Sequence, residues 1–173
     1  MKKAINFLTK ILSIIPINQY YSDSNLKELY ELGFVFRGFV LVNHILKKLP
    51  VQKEKGVNKD LRGAFISAIN TFVDTAFNKN SLEYLESGNI LFIFKISEVQ
   101  SEDNSMKEPI ILYGLVDKSK KKSDKLVKKF FERVDPVLQL FIQKYNSTDF
   151  TELNQFEMFK DVMEGFFIKK TQV

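Results

Sequence analysis

The apolar positions of this chain follow two rhythms, one with the period of a helix and one with the period of a strand. Ala4, Ile5, Phe7, Leu8, Ile11, Leu12, Ile14 and Ile15 share one half of a helical wheel, while Lys2, Lys3, Asn6, Thr9, Lys10 and Ser13 fill the other. The spacing predicts an amphipathic surface helix ended by Pro16, because the residue before a proline is pushed out of helical geometry. A polar link, NQYYSDSN, follows, and NLKELYEL reads as a short helix with Asn25 as its N-cap.

From Phe34 the period becomes two. FVFRGFVLVN carries β-branched and aromatic residues on both faces, as a strand covered on both sides would. Asn43 and His44 predict a turn, and ILKKLPV a return strand kept at an edge by Pro50 and its lysines. QKEKGVN is a loop, after which Asn58 or Asp60 opens the helix KDLRGAFISAINTFVD. On its wheel Leu61, Ala64, Phe65, Ala68 and Phe72 form the apolar face, and Arg62, Asn70 and Asp74 point away from it. Ile66, Val73 and Phe77 remain on a flank that needs another cover, which makes them candidates for a partner interface. The amino-terminal helix, a second subunit and the domain's own loops compete for that place, with the first favoured.

Further on, SLEYLES and NILFIFKIS flank a Gly88-Asn89 turn and predict a hairpin. EVQSEDNSMKEP is a polar loop and IILYGLVD a strand. Leu126, Val127, Phe130, Phe131, Val134, Val137, Leu138, Phe141 and Tyr145 predict a helix kinked or divided at Pro136. Leu153, Phe156, Phe159, Val162, Met163, Phe166 and Phe167 predict a last helix, with Gly165 a weak point. The expected fold is α+β: a five-stranded antiparallel sheet, one helix crossing between strands 2 and 3, and two carboxy-terminal helices. Short turns favour a meander of sequence neighbours. The domain spans 34–173, preceded by a helical extension and linker over 1–33.

Composition narrows the function. A chain of 173 residues fits one domain. With no cysteine it has no thiolate nucleophile, Cys-based zinc site or disulfide, consistent with a reducing, cytoplasmic setting. The net charge of +5 permits an anionic partner without demanding one. The run KSKKKSDKLVKK concentrates Lys118, Lys120, Lys121, Lys122, Lys125, Lys128 and Lys129. With Lys2, Lys3, Phe7 and Lys10, these are the candidates for an anionic membrane surface. A solvated face that keeps the chain in solution is the plainer reading. Nucleic acid is not an expected partner, since the phenylalanines follow core periodicities rather than stacking positions.

No apolar run approaches the roughly 20 residues of a membrane span. The start imitates a signal peptide, but Asn6 and Lys10 interrupt its apolar stretch and no small-x-small site follows, so secretion is not expected. Phosphate-loop, dinucleotide, zinc-protease and nucleophile-elbow motifs are missing. His44, the one histidine, reads as a solvated turn residue. The expectation is a protein without catalytic residues, metal or cofactor.

Three stretches carry a family resemblance: FVFRGFVLVN with ILKKLPV as a first hairpin, the helix KDLRGAFISAINTFVDTAF, and IILYGLVD followed by a basic, Phe-rich helix with FIQKY. From about Phe34 to Phe167 the chain resembles the longin-like family of the roadblock/longin, profilin-like group, with the extension as a departure. The resemblance implies a non-enzymatic regulatory or scaffolding subunit of membrane trafficking. Its partner would be a small GTPase or another longin- or roadblock-like subunit. A sensory domain holding a small apolar ligand and a peripheral membrane-binding protein are the alternatives.

Overall fold

A computed structural model describes residues 27–49, 59–76, 82–118 and 122–167. In chain order these form β1 (Leu29–Phe36), β2 (Phe39–Ile45), α1 (Lys59–Ala76), β3 (Tyr84–Ser87), β4 (Ile90–Gln100), β5 (Lys107–Asp117), α2 (Ser123–Tyr145), a 3-10 turn (Leu153–Phe156) and α3 (Phe159–Phe167). The strands make one antiparallel sheet in the order β2-β1-β5-β4-β3.

This order corrects the expected meander. The first strand pairs with the last, Phe34 opposite Leu112, and β2 and β3 lie at opposite edges. The connection containing α1 therefore joins the two edges instead of bridging neighbours. The physical reason lies in burial. β1 and β5 are apolar toward both faces and take the centre, whereas the four residues of β3, YLES, are short and polar enough for an edge.

The hairpin boundaries also move. The described residues of NLKELYEL are not helical: its second half begins β1, inside the stretch expected to be linker. The strand alternates from there, with Leu32, Phe34 and Phe36 in one core cluster and Val35 in the other. FVFRGFVLVN is not one strand, because it turns at Arg37 and Gly38, both with positive φ (47° and 86°). Phe36 opposite Phe39 leaves those two residues as a tight hairpin loop of the primed type that follows strand twist. His44 thus lies in β2 rather than in a turn, and of the expected return strand ILKKLPV only Ile45 is strand among the described residues, with Pro50 and Val51 outside them. Instead, the amides of Leu46 and Lys47 donate to the carbonyl of Tyr30 at 2.8 and 3.1 Å.

The Gly88-Asn89 hairpin is present, and its strands leave only Ser101–Met106 of the expected polar loop between β4 and β5. Pro136 sits inside a continuous α2, and the expected last helix divides into the 3-10 turn and α3. The amphipathic segment before Pro16 lies outside the described residues.

The two faces of the sheet are covered differently. Under α2, the 3-10 turn and α3 lies an aromatic core: Phe34 stacks on Phe141 at 4.0 Å, Phe159 meets Phe34 edge-on at 5.7 Å, and Phe36 lies 4.3 Å from Phe150. On the opposite face α1 covers a smaller cluster of Val35, Val40, Ile66, Phe94, Ile111, Tyr113 and Leu115. Gly63 sets the approach of α1, since a Cβ there would collide with the carbonyl oxygen of Gly38.

Candidate interaction face

The placement of α1 starts from a charge inside the sheet. Glu31 projects from β1 on the α1 side and is only 2% exposed. Its Oε1 accepts from the hydroxyl of Tyr113 at 2.6 Å, from Nδ2 of Asn43 at 3.1 Å, and from the guanidinium of Arg62. Tyr113 reaches it by lying across β1 at Gly33, where a Cβ would stand 2.6 Å from the ring. Burial pushes the Tyr113 phenol well above its ordinary value, and the adjoining carboxylate adds to the rise. A buried carboxylate needs such partners, because leaving one unpaired costs several kcal/mol.

Arg62 can meet Glu31 only if its side of α1 faces the sheet. The helix is therefore turned, and the expected faces are corrected. Ile66, placed by its wheel position on an outer flank, is 1% exposed and packs in the inner cluster, so it is not available to a partner. The residues expected to lie on the sheet point outward instead: Leu61 is 66% exposed, Phe65 47% and Phe72 62%, with Ala64 and Ala68 exposed between them. This apolar stripe continues onto the sheet. Phe65 meets Phe92 of β4 edge-on at 6.4 Å, and half-buried Leu85 and Ile96 lie on the same sheet face. Helix and strands form the two walls of a shallow apolar shelf.

At the opposite end of β1 a second cluster ties two turns together. Arg37 donates from Nε to Glu108 at 2.8 Å and from Nη1 to Asp103 at 2.8 Å, and Nη2 serves both carboxylates. The buried Ser101 hydroxyl donates to Asp103 at 2.5 Å. Hydrogen bonds from Arg37, then Ser101, hold the Asp103 carboxyl down at about 2. Between this clamp and α1 lies a cleft of 130 Å³, lined by Val35, Arg37, Ser67, Asn70, Glu108 and Ile111 among others. It is below the roughly 300 Å³ at which small-molecule sites begin.

Of the other residues singled out in the sequence, Val73 falls in the last turns of α1. Phe77, Lys2, Lys3, Phe7, Lys10, Lys120 and Lys121 lie outside the described residues. Lys118 pairs with Glu86, and Lys129 lies 4.0 Å from Glu28. Lys122, Lys125 and Lys128 are exposed at intervals of three along the start of α2. The His44 imidazole is half-buried, and burial lowers its pKa. Among the described residues, no group of three acidic or histidine side chains could hold a metal, and no helix is long and apolar enough to cross a membrane. No protein-family model and no curated protein matches the chain.

Sequence reasoning missed the cluster of Glu31, Arg62 and Tyr113. The signal was present: a lone glutamate in a run bound for the interior, and a lone arginine beside the small residues of a helix.

Proposed function

We propose that this chain is a non-catalytic interaction module that docks a partner protein on the outward face of α1. The carrying observation is the inverted amphipathicity of that helix: Arg62 is turned in while Leu61, Ala64, Phe65 and Ala68 are turned out. A contiguous apolar patch beside an apolar shelf is the usual mark of an interaction surface. The resemblance to longin-like proteins supplies the partner class, a small GTPase or another longin- or roadblock-like subunit, working on the cytoplasmic side of a membrane. Lys122, Lys125 and Lys128 would draw the complex toward an anionic surface without forming its specific contacts.

Size-exclusion chromatography of the full chain with a panel of small GTPases, in both nucleotide states, tests this reading. A co-eluting complex that Phe65→Asp abolishes supports it. A complex unaffected by Phe65→Asp overturns the docking face, and no complex in either nucleotide state overturns the GTPase assignment.

A further inference from the structure

The amino-terminal segment matches the α1 stripe in length and chemistry. Leu61 to Phe72 and Ala4 to Ile15 each span eleven residue steps, about 16 Å if helical. One offers an outward apolar stripe, and the other has an apolar half with Lys10 on its polar half and Lys2 and Lys3 just before it in the chain. The point at which the chain enters the sheet brings them into range. The carbonyl of Glu28 accepts from the amide of Asp117 at 2.7 Å, and Asp117 lies opposite Ile90. The entry is thus at the end of the sheet nearest Phe92, the residue that Phe65 touches. Tyr30, two residues further on, packs into the cluster on the α1 side. The residues from Pro16 to Leu26 can span up to about 36 Å when extended.

We infer that the segment Ala4–Ile15 seats its apolar half on the α1 stripe of the same molecule, so that a partner must displace it. This rests on reading α1 as the docking face. A tether of this length holds the segment at an effective concentration on the order of millimolar. A second copy at micromolar concentration, with the same stripe, competes at a large disadvantage. The lysines of the segment then stay in water, where their charge carries no desolvation cost.

The absence of native cysteine makes the test direct. In the full chain, Leu8→Cys is combined with Ala68→Cys, or with Gln139→Cys on the exposed side of α2 as a control. Both are treated with a short thiol-to-thiol cross-linker at low micromolar protein and read by intact mass and peptide mapping. The expected result is an intramolecular link between 8 and 68, at least tenfold above the control and independent of protein concentration. Equal yields for the two pairs, or links mainly between molecules that grow with concentration, overturn the inference.

Hydrogen exchange of the full chain carrying Phe7→Asp and Ile11→Asp provides the second readout. Exchange in α1 should rise several-fold while α2 is unchanged, and unchanged exchange in α1 overturns the inference. A missing link with partner binding still sensitive to Phe65→Asp removes the intramolecular cover and leaves the docking face standing. A strong link with partner binding insensitive to Phe65→Asp does the reverse.

Discussion

The two faces of the sheet divide the work of this molecule. On one, α2 buries nine residues in an interior crowded with phenylalanine rings. On the other, Gly63 and Ile66 are the buried positions among the described residues of α1, and a charged pair fixes the helix where apolar contact is thin. The contrast shows that the apolar residues of α1 do not primarily hold this fold together. An apolar side chain contributes to stability only through the surface it removes from water, and Leu61 and Phe65 keep much of theirs.

That division can be broken at several points. The largest effect is expected from Phe141→Ala, which empties the space between Phe34, Phe156 and Phe159. It should destabilise the chain by about 4 kcal/mol, read as a fall in the urea midpoint at constant slope. Glu31→Ala should cost about 3 kcal/mol by leaving the buried Arg62 guanidinium without its carboxylate. Here hydrogen exchange should accelerate more in α1 than in α2, and equal acceleration would mean that the pair does not position α1. Phe65→Asp should cost only about 1 kcal/mol, since about half of the side chain is already in water and the rest meets Phe92, while removing partner binding.

The smallest effect concerns pH. The Asp103 carboxyl sits at about 2 in the fold, against an ordinary 3.8, so its share of the Arg37 clamp is present above about pH 4 and is lost as pH falls toward 2. Thermal melts at pH 5, 3 and 2 should show a steeper acid loss for the natural chain than for Asp103→Asn.

Much of the architecture was legible because it rests on local periodicity. The β3–β4 hairpin follows from a turn dipeptide between two strand-like runs, and the inward side of α2 from its helical spacing. What failed depended on contacts distant in sequence. The helix expected over NLKELYEL took no account of Glu31, which Tyr113, Asn43 and Arg62, all distant in sequence, hold inside the sheet. The same pairing reversed α1, since a wheel ranks faces by hydrophobicity and cannot know that one arginine has a buried partner. The strand order was misjudged as a meander, although a signal for it was present. FVF and IILYGLV are the runs that are apolar toward both faces, and such strands belong together at the centre of a sheet. The Arg37-Gly38 turn was hidden between two apolar runs, with only these two residues to mark it.

The outward stripe of α1 as a protein interface is tested most directly by placing a photo-activated cross-linking residue at position 65 of the full chain in living cells, with position 139 on the exposed side of α2 as control. An interface there predicts a discrete protein adduct from position 65 that is absent from position 139 and lost with Leu61→Asp. The same weak, diffuse labelling from both positions would contradict it.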